Sequence, residues 1–457
     1  MMEIITQEQE QRTQDRRRRP VGPHYKWVAL TNTTLGSFMA TLDASIVLIA
    51  FPAIFKGIGI NPLAPGETSY FLWLLLGYMV VTATLLVTFG RISDMFGRVR
   101  LYNLGFLIFA IGSTLLSLTP GTGNTGAIEL IIFRLIQGIG SGFLLSNSAA
   151  ILTDAFPANQ RGRALGINQI AGIAGSFIGL IVGGILAVIN WRLVFLVSVP
   201  VGIAGTIWAY TMLRETATIR KHQKIDWLGN VTFALGLTVF LFGITYGIEP
   251  YGGSPMGWSN PLVIGGILLG IALLAAFVWI ELHVNAPMFR LDLFKIRMFA
   301  AGNIAGFLSA LGRGVSSGMR ATFQNSATLV SIGFFFSIVT LGLAAALPAT
   351  LSTGLITNGV PIQAATTIAH LPPTAALFGA FLGYNPIGEL LPPPLLHAIS
   401  PTHQAILLGK TFFPNLISAP FMDGLRAVFS ISAALCLIAA GASLLRGKRV
   451  VYGQEQH

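Results

Sequence analysis

Two charged residues stand out because of where they sit in the chain. Asp43 follows Leu42 and precedes Ala44, Ser45, Ile46 and Val47, while Arg134 lies between Leu130 and Gly138, each within an apolar run long enough to cross a bilayer. An ionisable side chain at such depth costs on the order of 2.5–3.5 kcal/mol on insertion scales, so it is retained for pairing or for function. At about 1.5 Å per residue, Asp43 lies ~24 Å from the inner end of its run and Arg134 ~10 Å from the outer end of its own. Both therefore fall in the outer half of a ~30 Å hydrocarbon core. A carboxylate there can take a proton from one side and release it to the other, with a neighbouring arginine as modulator; the same two groups can instead form an ion pair that only locks two helices. The histidines offer nothing comparable, since His24, His222 and His457 are in aqueous segments, His283 ends a helix, and His370, His397 and His403 fall in a long loop.

A second group, Gly90, Asp94, Gly97 and Arg98, lies between two apolar runs. The glycines permit a tight turn between antiparallel helices, Asp94 can accept from the amino-terminal amides of the next helix, and Arg98 can pair with a carboxylate or with helix carbonyl ends. That is the chemistry of a latch at one end of a helix bundle. It is also what an ordinary polar turn contains.

The elements that must position these residues are membrane spans. Of 457 residues, 53% are hydrophobic and only 10% are charged, too few to cover a water-soluble globule of this size. Apolar runs lie near 28–55, 70–90, 101–119, 127–152, 165–189, 193–213, 228–247, 261–282, 322–348 and 427–445, with a shorter one at 298–312. The expected fold is all-α: about ten spans plus a half-helix. The net charge of +11 is gathered in short clusters at the ends of these runs, which fits the positive-inside bias and excludes a nucleic-acid-binding face. Arg91, Arg98, Arg100, Arg161, Arg163, Arg214, Arg220, Lys221 and Lys224 mark inner loops, as do Arg290, Lys295, Arg297, Arg446, Lys448 and Arg449. Connections 56–69, 119–127 and 248–260 are rich in Gly, Pro, Asn and Ser and belong outside. No apolar stretch precedes Trp27, so residues 1–26 read as a basic cytoplasmic tail, and both termini are expected inside a plasma membrane. A single cysteine, Cys436, excludes an intramolecular disulfide and a cysteine-rich metal site.

At the Gly90–Arg98 loop, placed between spans 2 and 3, the chain resembles the major facilitator superfamily, whose signature loop has the form G-x-L-x-D-x-x-G-R. The segment from Leu130 to Gly140 looks like that family's buried-arginine motif. Gly166, Gly175, Gly179, Gly183 and Gly184 in span 5 resemble its antiporter glycine motif, with Leu180 where that motif has proline. The segment from Leu42 to Pro52 is similar to the aspartate motif of drug exporters, with Leu48 in place of the usual asparagine. The run Ile225 to Gly229 resembles the start of the extra helix pair of the fourteen-helix drug:proton antiporter-2 family. The resemblance implies an amino-terminal six-helix bundle at 27–214, a linker with two additional helices at 215–297, and a second bundle at 298–457.

That second bundle looks incomplete. Arg161-Gly162 followed by Gly166 recurs as Arg313-Gly314 followed by Gly318, so the helix at 322–348 corresponds to the fifth helix of the first half. By this comparison roughly three and a half helices are absent from the internal repeat. Residues 349–426 form a long outer segment, broken repeatedly by prolines, which reads either as a cap over the outer mouth or as a poorly ordered connector; partial order is expected because Phe378, Phe381, Phe412 and Phe413 provide something to bury. The resemblance implies a proton-coupled secondary transporter that exports amphipathic small molecules. Asp43 would then be the coupling carboxylate, Arg134 its modulator, and the span 5 glycines a close-packed pivot against the other half. The proton gradient would be the energy source, with no cofactor; protons, small molecules and the lipid bilayer are the expected partners. The other expectation is a transport-inactive remnant or membrane-embedded binding partner, because alternating access needs two bundles. An enzyme is not expected: the aqueous segments hold no nucleophile pattern, metal cluster or phosphate loop.

Overall fold

A computed structural model describes residues 22, 24–60, 67–216, 226–247, 250–252, 254, 256–284, 287, 295, 319–381 and 385–444. All ten expected spans are helical. In chain order they are α1 (Tyr25–Ile58), α2 (Thr68–Phe96), α3 (Arg98–Ser117), α4 (Gly123–Ala155), α5 (Ala158–Ile189), a sixth span divided into α6 (Trp191–Leu196) and α7 (Ser198–Met212), α8 (Trp227–Gly247), α9 (Pro261–His283), α10 (Met319–Thr357) and α16 (Phe412–Leu444). Among the described residues nine spans are long and apolar enough to cross a membrane, and α2, bent by 52°, makes a tenth. Helices are what lipid demands, because each backbone N–H and C=O must be satisfied within the segment. Their ends follow local chemistry. Gly97, at φ 109°, makes the turn from α2 to α3, and Asn260 accepts from the Leu262 N–H at 2.9 Å to start α9, with Pro261 at its first position.

In the first half α1 lies along α5 and α4, α3 packs on α4 and α7, and α2 packs on α4. The pair α8 and α9 pack on each other and cover α2, where Leu72, Leu76, Val80 and Ala83 meet Phe233, Leu237, Leu241 and Phe277. Helix α10 packs on α16 and touches α2 and α8, so α2 carries the main contact between the first half and the carboxy-terminal helices.

The long connection near the carboxy terminus is shorter than expected, and it is helical, in keeping with the expected partial order. Helix α10 continues to Thr357 and α16 begins at Phe412, so the connection runs over 358–411 instead of 349–426. It folds into α11 (Ile362–Ala369), α12 (Pro373–Phe381), α13 (Ile387–Leu390), α14 (Pro393–Ala398) and α15 (Pro401–Leu407). Pro361 and Pro392 stand just before helices, and Pro393 and Pro401 sit in first turns, where a missing N–H is harmless; the prolines start short helices as well as ending them. These helices bury Ile368, Ile387, Leu391 and Leu407 against Leu343, Leu347, Leu351 and Leu355, spaced four residues apart on α10, together with Phe413. The side chains of Phe378 and Phe381 lie outside the described set. Tyr251 and Ser254 share a cleft with Leu347, Pro348 and His370, which places this cap at the end of the molecule that carries the α8–α9 connection. The half-helix at 298–312, the segment Arg313–Gly318, and Arg290, Arg297, Arg446, Lys448 and Arg449 lie outside the described residues.

Candidate functional site

Asp43 and Arg134 meet. The Arg134 Nη1 donates to Asp43 Oδ2 at 2.5 Å, and neither side chain has any exposed surface. Gln137, one turn after Arg134 on the same face of α4, closes a ring. Its Oε1 accepts from Arg134 Nη1 at 2.5 Å, and its Nε2 donates to Asp43 Oδ1 at 2.9 Å and to Ser113 Oγ at 2.7 Å. The opposite amide orientation would set Nε2 against the guanidinium and Oε1 against the carboxylate, so the network itself fixes the flip. Ser198, at the start of α7, donates to Asp43 Oδ1 at 3.5 Å. Arg134 also lies 4.5 Å above the Tyr78 ring and donates from Nε to the Leu74 carbonyl at 3.4 Å, while Tyr78 OH donates to Ser141 Oγ at 2.7 Å. One buried charge pair thus joins α1, α2, α3, α4 and α7. Such a pair is held by geometry: the partners compensate each other, and removal of either leaves the other stranded in a medium of low dielectric.

The glycine motif of α5 divides into two sets. Gly175, Gly179 and Gly183, four residues apart, face α1, and a Cβ on them would come within 2.5 Å of the Phe38 carbonyl, 2.5 Å of the Leu42 carbonyl and 2.8 Å of the Ile46 carbonyl. No side chain fits there, so the backbones of α1 and α5 are in contact along the stretch that bears Asp43. Gly166 and Gly184 have nothing within 4 Å of that position among the described residues. The expected pivot against the other half is therefore corrected: the close-packed glycines bind α5 to α1 within the first half, because four-residue spacing places them on one stripe and α1 occupies it.

At the latch, Arg98 Nε donates to Asp94 Oδ1 at 2.8 Å and Arg98 Nη1 to Asp154 Oδ2 at 2.6 Å. Two expectations change here. Gly90 lies within helix α2, where a Cβ would meet nothing within 4 Å among the described residues, so Gly97 and not Gly90 makes the turn. The amino terminus of α3 is capped not by Asp94 but by Glu215, whose Oε2 accepts from the Val99 N–H at 3.0 Å; Asp94 is already engaged by Arg98. A Cβ at position 97 would lie 2.8 Å from that carboxylate oxygen, a second reason for glycine there. Burial pushes the Glu215 carboxyl above the usual carboxylate range, an effect opposed by the backbone N–H groups of Val99 and Arg98 and by the Arg98 charge, and reinforced by Asp154. Among the described residues no group of three or more His, Cys, Asp or Glu is placed to hold a metal ion.

The sequence profile of the Major Facilitator Superfamily matches residues 33–384. The chain belongs to this superfamily. It is 31% identical over 315 residues to Multidrug resistance protein 3 of Bacillus subtilis, an alignment that covers 67% of this chain and 57% of that protein. It is 33% identical over 282 residues to the riboflavin transporter RibZ of Clostridioides difficile, with 62% and 57% covered. The chain thus spans little more than half the length of these curated relatives. Among solved structures, a bacterial homologue of the human lysosomal transporter Spinster in an inward-facing, unoccupied conformation is 16% identical with a TM-score of 0.43, over 94% of this chain and 100% of that one.

For this major facilitator chain, sequence reasoning placed the charge pair but missed the partners that complete it. Gln137 carried a legible signal, three residues after Arg134 and so on its helix face. Ser113, Ser198 and Tyr78 gave none, being small or aromatic polar residues in apolar runs like many others. Asp154 and Glu215 resembled ordinary charged span ends, and only the packing of α4 and of the α7 terminus against the α2–α3 turn distinguishes them.

Proposed function

We propose that the chain is a proton-coupled secondary transporter of the fourteen-helix drug:proton antiporter-2 type, exporting amphipathic, cationic or neutral small molecules across a plasma membrane with both termini cytoplasmic. The observation that carries this reading is the fully buried Asp43–Arg134 pair, closed by Gln137 and joined to five helices. A carboxylate held this way has two alternatives to Arg134, a proton or a cationic substrate, and it cannot hold both at once. Protonation from the outer side releases Asp43 from the guanidinium and frees the network to rearrange; loss of that proton to the inner side restores the pair. Arg134 keeps Gln137 and the Tyr78 face as partners meanwhile, so its charge is not abandoned. The Arg98–Asp94–Asp154 cluster and the Glu215 cap would hold the inner end closed in one state of the cycle. Aromatic and methionine side chains would accept varied apolar shapes without directional bonds. The names of the relatives favour transport over an inert remnant.

The test is Asp43→Asn in proteoliposomes with an imposed pH gradient. The amide keeps the shape and still accepts from Arg134 but cannot exchange a proton, so gradient-driven export of a fluorescent cation disappears while the protein remains inserted. Unchanged coupled export removes Asp43 from the proton path. Loss of folded protein equal to the loss of transport favours a structural lock.

A further inference from the structure

One buried amide in α1 takes no part in the network around Asp43. Asn32 has no exposed surface, and its backbone carbonyl accepts from Tyr102 OH at 3.0 Å, yet neither Oδ1 nor Nδ2 of its side chain has a hydrogen-bond partner among the described residues. Because donor and acceptor are both unmet, turning the amide over changes nothing. A primary amide buried in this way calls for a small molecule that donates and accepts, and water is that molecule.

The position of Asn32 gives such water a direction. Asn32, Gly36, Met39 and Asp43 are spaced four, three and four residues apart, one face of α1, and Asn32 lies ~16 Å from Asp43 toward the latch end. Hydroxyls stand along the way. Tyr78, beneath Arg134, donates to Ser141, and Tyr102 OH fills the space that the missing side chain of Gly36 leaves open. Met39, 1% exposed, packs with both tyrosines in one cluster. Unpartnered polar atoms recur at both ends of this row: Arg134 Nη2 beside Asp43, and Oδ1 of the buried Asn147 on α4 nearer the latch end. At that same end Ser148 Oγ lies 3.4 Å from Ser37 Oγ and accepts from Asn168 Nδ2 at 3.1 Å, and Asn168 is only half-buried.

We propose that waters held by Asn32 and Asn147 continue this hydroxyl row through the interior of the first helix bundle, and that Asp43 discharges its proton along it toward the latch end. The inference rests on the exchanger reading above. In the step, the Asp43 carboxylic acid gives its proton to the first water. Each water or hydroxyl then accepts one proton and passes one on, and the excess proton leaves near Asn168. The carboxylate stays behind, paired again with Arg134. Met39 is the reporter, since it borders the row and its thioether is readily oxidised.

The experiment combines two measurements on the full chain, with Asn32→Leu to remove the water anchor and Asn32→Ser to keep a hydrogen-bonding group. Radiolytic labelling in oxygen-18 water, on protein in lipid nanodiscs, reads water at Met39 directly. The expected result is labelling of this buried methionine in the wild type, its loss in Asn32→Leu, and its retention in Asn32→Ser. In proteoliposomes with a pH gradient and rhodamine 6G as the probe, Asn32→Leu slows export several-fold with dye binding unchanged, and Asn32→Ser restores it. A wild type unlabelled at Met39 overturns the inference whatever the transport data show. Wild-type export by Asn32→Leu with Met39 labelling lost overturns the route. A wild type labelled at Met39 that exports nothing refutes the exchanger reading, and the route with it, and leaves a hydrated structural site.

Discussion

A buried ion pair is asymmetric in its energetics: formed, it contributes little net stability, and broken on one side, it strands a charge. Arg134→Leu leaves the Asp43 carboxylate with Gln137 and Ser198 as its donors among the described residues, and it is expected to lower unfolding stability in detergent by about 3–5 kcal/mol. Adding Asp43→Asn to that variant removes the stranded charge and recovers much of the loss. Equal stability of the single and double variants would show that the two residues do not depend on each other. At the latch the sign of the pH effect follows from Glu215, whose carboxyl is raised by burial. A raised value in the folded state means that its contribution is fully present below the ordinary glutamate range, about 4.3, and is lost as pH rises through the higher folded value. Wild type and Glu215→Gln should therefore melt alike near pH 4, with the variant gaining as the pH is raised toward 7. A difference that grows in favour of wild type would mean that the cap on α3 outweighs the burial of the charge.

The two sets of glycines on α5 make opposite predictions from one residue type. Gly179→Ala forces a Cβ to within 2.5 Å of the Leu42 carbonyl, and backbone cannot yield as a side chain does. It should separate α1 from α5, lower the melting temperature and displace Asp43 from Arg134. Gly184→Ala meets nothing within 4 Å among the described residues. There the gain in helix propensity dominates, up to about 1 kcal/mol, and the variant should be neutral or slightly more stable. Comparison of the two melting temperatures decides the matter, and similar losses would mean that both stripes of α5 are covered in the membrane. The break between α6 and α7 belongs to this scale as well. It lies at Val197, three residues before Pro200, and Ser198, the first residue after it, donates its hydroxyl to Asp43.

At the scale of the whole molecule, the latch and the cap lie at opposite ends, which makes the membrane orientation testable with single cysteines in a chain carrying Cys436→Ser. Thr402→Cys, exposed on α15, should react with an impermeant thiol reagent added to intact cells. Ser316→Cys, at a position outside the described residues, should react only after permeabilisation, because the positive-inside bias of the cationic clusters at 290–297 and 446–449 predicts that both flanks of the last spans face inward. Labelling of Ser316→Cys from outside would require residues 298–315 to cross the membrane, and the reading of the second half as a shortened repeat would fall with it.

The spans were legible in the sequence because apolar length is a one-dimensional property: each of the ten helices contains most of the run that predicted it. Depth is nearly as simple, so counting residues from the span ends was enough to bring Asp43 and Arg134 into the same layer of the membrane. What a span end does is not one-dimensional. Whether Asp94 or Glu215 caps α3 depended on which carboxylate Arg98 had already engaged, and whether Gly179 faces another half or α1 depended on which helix fills the groove beside α5. The cap stayed one of two readings of the proline-broken segment for a related reason. Proline reads locally as a break, but at the first turn of a short helix it breaks nothing, and the leucines of α10 that give those helices a core are distant in sequence. Composition and spacing determined which segments enter the membrane and which charges go with them; the partners of each charge and glycine were set by three-dimensional packing, which a linear pattern does not contain.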